Sequence, residues 1–230
     1  AAPPPVVVNP PVVTTTNNTN GLVAAYGFEE RSGTTVNDTS GLANHGIIRE
    51  AVRVSPGRYG NALRFDGVND WVTVADSASL DLSKGFTFEA WIYPTAIKSG
   101  SVLTKEQPGG AVYNFYAYED ADLPLASFND GANYRWIAGK TQLPINTWSH
   151  LVATYDGQYE RIYLNGNPTP VSIKAQTGLI KQSTGALRIG GNSVWGYEFF
   201  KGTLDEVRIY NYPLTAAEIQ RDYSTPVVAK

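Results

Sequence analysis

Cysteine is absent from the 230-residue chain. That removes disulfides, thiolate catalysis and cysteine metal sites together. No run approaches the roughly 20 apolar residues of a membrane helix, so membrane insertion is not expected. No signal peptide is visible, and the first residue is Ala1 rather than Met. The chain therefore reads as a mature form or an excised piece. A basic excess is missing too: 18 Lys and Arg stand against 21 Asp and Glu, a net charge of −3. Without a basic stripe, nucleic acid is not an expected partner. Only two histidines occur, and neither His45 nor His150 has sequence neighbours that suggest a Ser-His-Asp arrangement. Gly109-Gly110 and Gly190-Gly191 lack the Gly-Lys-Ser/Thr that completes a phosphate loop.

What is present points to strands. Fourteen Tyr, eight Phe and five Trp accompany many Val, Ile and Thr, residues that fit a pleated sheet. Frequent Gly and Pro fit frequent turns. Residues 1–20, rich in Pro, Val, Thr and Asn, read as an extended linker and imply other domains of the same polypeptide upstream. A single domain is expected over residues 21–225. Within it, strand follows strand. Asn61–Gly67 and Trp71–Ala75 read as a hairpin across Gly67–Asp70. Trp148–Tyr155 and Tyr159–Leu164 flank an Asp156-Gly157 turn, and Asn165-Gly166 turns the chain back. One helix is expected, last in the chain. Thr215 and Glu218 form a capping box, Leu214 and Ile219 a hydrophobic staple, and the helix should run to near Tyr223. Strands without intervening helical patterns predict an all-β, two-sheet antiparallel sandwich with one short C-terminal helix.

The strand Gly202–Tyr210 carries an anomaly. Strict alternation puts Asp205 with Val207 and Ile209, on the apolar face. A carboxylate there needs an arginine, a set of backbone N–H groups, or a bound cation. Arg64, Arg188 and Arg208 sit between apolar neighbours and suggest a polar sheet face with cross-strand pairs to acids such as Glu89 or Glu206.

Glycoside hydrolysis needs two facing carboxylates, which on one strand show as evenly spaced acids. Glu89 stands alone among Thr87, Trp91 and Tyr93, and Glu119, Asp120 and Asp122 cluster in a turn. Binding is therefore expected rather than catalysis. Sugar recognition uses aromatic faces with planar polar companions. The candidate contacts are Tyr113, Tyr134, Trp136, Asn192, Trp195 and Tyr197. Trp148 reads as core. Trp91 either lines an open sheet or lies under a covering loop.

Six segments resemble the laminin-G-like jelly-roll family of the concanavalin A-like lectin/glucanase fold. They are Leu22–Phe28 with its continuation, Asp38–Gly46, Ala62–Gly67, Phe86–Pro94, Trp148–Gly157 with Ile162–Gly166, and Gly202–Ile219. They stand in family order and cover nearly all of residues 21–223. The resemblance implies two antiparallel sheets face to face, one of them concave, in a module of a larger secreted or cell-surface protein. It also implies a structural calcium ion, with Asp205, Asp38, Asn44 and the Gly41 carbonyl at matching positions. Leu42-Ala43 stands where the family often has Gly-Asn-Gly. The implied partner is carbohydrate or a glycosylated surface partner. Protein–protein adhesion is the alternative, and a polysaccharide-active enzyme the second.

Overall fold

The computed structural model describes residues 21–228. The linker expected over residues 1–20 lies outside the described residues. In chain order the strands are β1 (Leu22–Tyr26), β2 (Thr35–Val36), β3 (Gly46–Arg49), β4 (Val52–Val54), β5 (Ala62–Asp66) and β6 (Trp71–Val74). Next come β7 (Phe86–Pro94), β8 (Gly100–Gln107), β9 (Gly110–Tyr118), β10 (Leu125–Asn129) and β11 (Tyr134–Ala138). The last are β12 (Ser149–Tyr155), β13 (Tyr159–Leu164), β14 (Ser172–Ala175), β15 (Leu187–Ile189) and β16 (Lys201–Tyr210), followed by the helix α1 (Ala216–Ser224).

They form two eight-stranded antiparallel sheets. Sheet A runs β14-β13-β12-β7-β16-β5-β4, with β1 also on β16. Sheet B runs β11-β10-β9-β8-β15-β6-β3-β2. Alternation explains the layering. On β7, Phe86, Phe88, Ala90 and Ile92 enter the core between the sheets. On β9 and β10, Tyr113, Phe115, Ala126 and Phe128 meet them from sheet B. Phe86 stacks on Phe88 at 4.1 Å, and Phe88 on Tyr113 at 5.0 Å. Apolar burial of this kind is the main favourable term in folding.

The expected hairpin across Gly67–Asp70 does not form. β5 pairs with β16 and β4, whereas β6 pairs with β15 and β3 in the other sheet. The chain arches across the core instead. Both strands bury apolar residues between the sheets (Leu63 and Phe65, Val72 and Val74), so the pattern of either strand is the same for an arch as for a hairpin. The turns at Asp156-Gly157 and Asn165-Gly166 do join paired strands. Asn165 and Gly166 take φ of 54° and 66°, the left-handed pair that a tight hairpin needs.

The helix α1 starts as its cap residues dictate. Thr215 accepts the Glu218 N–H, and the Glu218 carboxylate accepts the Thr215 N–H at 2.7 Å. Its buried side packs Leu214 and Ile219 with Val152, Tyr163 and Tyr210 on the outer face of sheet A. Trp148 is not in the core. It is half-buried, 5.4 Å from Tyr93, because β12 presents it with His150 rather than with Leu151 and Ala153.

Candidate functional site

The two outer faces of the sandwich differ. On sheet B the register lines up one row across five strands: Trp136, Ser127, Asn114, Thr104 and Arg188, continuing to Thr73 on β6. Neighbouring positions on these strands enter the core, so this row faces outward. Asn114 donates to Ser127 Oγ at 3.1 Å, and its own buried Oδ1 has no hydrogen-bond partner among the described residues. Arg188 donates to Thr73 and pairs with Glu106 at 3.1 Å.

Two aromatics on the edge strand β11 stand beside this floor. Tyr134 is 48% exposed and Trp136 42%. Tyr134 reaches across β10, donating to the Ala111 carbonyl at 3.0 Å and accepting the Ala111 N–H at 3.2 Å. These two hydrogen bonds tie the phenol to β9. Gln176 fixes Trp136 by donating to its carbonyl at 3.1 Å and to the buried Glu160 carboxylate. Burial pushes the pKa of Glu160 up to about 8, with Lys174 and Gln176 only partly opposing it.

The loop 192–198 is tied to the same face by two acids. Ser193 donates its N–H and its hydroxyl to Glu106 at 2.6 and 2.8 Å. Glu198 accepts from Tyr116 at 3.0 Å and from Asn192 at 2.9 Å, and burial raises its pKa to about 7. Asn192 also accepts the N–H groups of Val194 and Trp195. This loop displays Trp195, partly buried, and Tyr197, 61% exposed.

The expected ligand contacts therefore separate. Tyr134, Trp136, Trp195 and Tyr197 are accessible around sheet B. Tyr113 is a core residue, fully buried against Phe88, with its hydroxyl on the Leu80 carbonyl. Asn192 is fully buried and positions the loop. Sequence reasoning missed Trp71, Arg49, Glu106, Ser193 and Lys174. The available signal was the alternation of Trp71 and Thr73 with the buried Val72 and Val74.

Asp205 also departs from its expected place. Glu206 adopts φ of 56° and the register with β7 shifts between Asp205 and Arg208, a β-bulge. The extra residue reverses the alternation. Asp205 pairs with Trp91, on the outer face of sheet A, while Leu204, Val207 and Ile209 all enter the core. Asp205 accepts the N–H of Tyr59 at 2.9 Å and of Glu206 at 2.8 Å. Burial still raises its pKa to about 8.

The other residues of the implied calcium set lie elsewhere. Asp38 and Gly41, with Phe28, Glu29, Glu30 and His45, line a cavity of about 440 Å³. The Asp38 carboxylate is filled by protein donors: Ala25 and Ser40 N–H on Oδ1, Ser40 hydroxyl and Asn44 N–H on Oδ2. The Asn44 amide donates to the Val23 carbonyl and Ser79. Asp38 thus serves as a turn acceptor, and its hydrogen bonds share no residue with those of Asp205. Among the described residues no three His, Cys, Asp or Glu side chains converge as a metal cluster.

The outer face of sheet A is closed. Trp91, 2% exposed, is packed by Arg58 at 4.1 Å, Tyr223 at 5.0 Å and His150 at 5.3 Å. Beneath lie Glu89, Glu206 and Arg208. Arg208 bridges Glu89 at 3.1 Å and Glu206 at 2.9 Å, and donates to the Thr225 carbonyl. Burial raises Glu89 and lowers His150 to about 3. Burial alone would lower the pKa of Arg208, but Glu89 and Glu206 more than offset it, and it ends raised.

These features place the chain among two-sheet, lectin-like jelly rolls. It belongs to the concanavalin A-like lectin/glucanases superfamily, whose laminin-G-type model matches residues 66–220. A zebrafish (Danio rerio) adhesion G-protein coupled receptor V1 is 28% identical over 149 residues, 61% of this chain and 2% of that protein. Mouse (Mus musculus) pappalysin-1 is 30% identical over 91 residues, 38% of this chain and 5% of that protein. The chain thus spans a small part of these curated relatives. Among solved structures, domain 4 of the Geobacillus stearothermophilus arabinanase AbnA, in complex with arabinotriose, has a TM-score of 0.68 at 18% identity, covering 89% of this chain and 98% of that one. The binding domain of Paraclostridial Mosquitocidal Protein 1 has a TM-score of 0.70 at 17% identity, covering 89% and 52%. At such identities the likeness is one of fold. No described helix is long and apolar enough to cross a membrane.

Proposed function

We propose that this domain binds carbohydrate without catalysis, through the outer face of sheet B, as one module of a larger secreted or cell-surface protein. The observation that carries this reading is the pair Tyr134 and Trp136. Both are exposed on an edge strand and tied down by hydrogen bonds, beside a polar floor of Ser127, Asn114 and Thr104. Aromatic rings with a few placed polar groups are the chemistry of sugar recognition. The arabinotriose complex of a fold neighbour supports it. Glu106 and Glu198, the acids of this face, are engaged in holding the 192–198 loop, which speaks for anchoring roles rather than hydrolysis. A glycan array tests the reading. Wild-type protein should bind at least one glycan class, and Trp136→Ala should weaken it about tenfold, the equivalent of ~1.4 kcal/mol. Capture of a protein partner unaffected by free sugars, with no glycan bound, would favour adhesion instead.

Calcium enters this reading as a structural ion at Asp205 only. That side chain is buried, and no lysine or arginine lies within ion-pair distance of it among the described residues. Asp38, with four donors, does not fit the role. Bound calcium would supply charge compensation and tie β16 to the 57–61 segment. At about 100 times its dissociation constant an ion stabilises by roughly 2.7 kcal/mol. Thermal melting with and without chelator should show a shift that Asp205→Asn abolishes. An unshifted wild-type melt removes calcium from the account.

A further inference from the structure

The charge of the ligand can be read from the same face, on the premise that the face binds carbohydrate. Two tryptophans bound it. Trp136 lies on the edge strand β11, and Trp71 on β6, five strand steps away, ~24 Å at ~4.8 Å per step. Trp71 is stacked on Phe199 at 5.9 Å and carries two guanidiniums, Arg49 at 4.2 Å and Arg188 at 5.2 Å from its ring centroid. Glu106 compensates Arg188. Arg49 is exposed and has no ion-pair partner among the described residues. At the other edge, the Lys174 ammonium stands 4.1 Å over the Trp136 ring and donates to the Trp136 carbonyl at 2.8 Å. Lys174 too has no ion-pair partner among the described residues.

Each bounding tryptophan therefore holds a cation without an ion-pair partner among the described residues, in a chain whose net charge is −3. Three acids around this face are occupied. Glu106 serves Arg188 and Ser193, Glu198 serves Tyr116 and Asn192, and Asp130 pairs with Arg135 at 2.8 Å. A neutral sugar stacking on the face of Trp136 that Lys174 covers has to displace the ammonium. An anionic group gains a charge-assisted bond from Lys174 or Arg49 while each cation keeps its aromatic support.

We propose that the outer face of sheet B recognises an acidic oligosaccharide, its carboxylate or sulfate groups engaged by Arg49 at one end and Lys174 at the other. The ~24 Å span calls for several sugar units, so affinity should rise with chain length.

Calorimetric titration of the domain with oligogalacturonate, dextran sulfate, unsubstituted dextran and cello-oligosaccharides tests this. At least one acidic ligand should bind at least tenfold more tightly than either neutral one, and weaken as salt rises. Binding of oligogalacturonate alone identifies the carboxylate as the recognised group, and of dextran sulfate alone the sulfate. The double variant Arg49→Gln/Lys174→Gln should lose at least tenfold for the acidic ligand with an unchanged melting temperature. Lys84→Gln, at an exposed charge in the loop before β7 of sheet A, should lose nothing. Equal or tighter binding of the neutral glycans, or an equal loss with Lys84→Gln, overturns the acidic assignment while the carbohydrate reading stands. Failure of all four ligands on intact, folded protein overturns the acidic assignment, and the glycan array then decides the carbohydrate reading.

Discussion

The two outer faces of the sandwich present similar residue types and opposite arrangements. Each carries tryptophan, arginine, glutamate and tyrosine. On sheet A they are sealed. The helix α1 and the 57–61 segment close over Trp91, and Tyr59 donates to the Tyr223 carbonyl at 3.0 Å to hold the cover down. Tyr210 donates to Asp222 at 2.6 Å from below. Several polar atoms there, both His150 nitrogens and Glu89 Oε2 among them, have no hydrogen-bond partner among the described residues, and His150 Nε2 lies 3.7 Å from Glu89 Oε2. On sheet B no described helix covers the face, and Tyr134, Trp136 and Tyr197 stay exposed, while Trp71 is covered by Arg49, Arg188 and Phe199. The difference shows that an aromatic-rich polar face does not by itself make a site. What decides is whether the chain brings its own lid. Sheet A's outer face holds the fold together, and sheet B's outer face is the one proposed to meet a partner.

Substitutions should separate these roles. The largest effect is expected on the sealed face. Arg208→Ala leaves Glu89 and Glu206 buried without their cation, and removing one partner of a buried pair costs about 3–5 kcal/mol. Urea unfolding should show that loss, while whatever folded protein remains keeps its glycan affinity. Next is Glu160, buried at the seam that holds β11 to sheet A. Its folded pKa of about 8 lies above its ordinary value near 4.5. A raised carboxyl pKa stabilises fully below pH 4.5, and that contribution is lost as pH rises through 8. Glu160→Gln should therefore raise the melting temperature at pH 9 by several degrees, at ~2–4 °C per kcal/mol, and change it little at pH 4.5. A gain of equal size at both pH values would show that the carboxylate's charge is not the cause. Smaller still, Thr215→Ala removes the cap of α1 and should cost about 1 kcal/mol without altering binding. Smallest in stability is Trp136→Ala on the open face, within ~0.5 kcal/mol, as its ring is exposed. A loss there comparable to that of Arg208→Ala would mean that Trp136 holds the fold.

Much of the fold was legible in the sequence because alternation and turn residues are local signals. The capping box at Thr215 and Glu218 and the Asn165-Gly166 turn need no tertiary information. Two failures were of another kind. A bulge at Glu206 adds one residue and reverses every later side chain, which period-two reading cannot detect. Gly67–Asp70 reads as a turn whether its flanking strands pair or arch between sheets. The site was legible only in part. Tyr134, Trp136, Trp195 and Tyr197 were singled out and are accessible. Tyr113 was singled out as well, although it alternates with Asn114 and so had to face the other way. Arg49 and Lys174 escaped notice because their meaning lies in stacking on tryptophans distant in sequence.

The five tryptophans divide between the faces, which makes them reporters of the central claim. Trp71, Trp136 and Trp195 lie on or beside the outer face of sheet B, and Trp91 and Trp148 on that of sheet A. Indole N–H signals followed by nuclear magnetic resonance during titration with an acidic oligosaccharide give the direct test. The account predicts saturable shifts at Trp71 and Trp136, with Trp195 following, and none at Trp91 or Trp148. Shifts confined to Trp91 or Trp148 would contradict it.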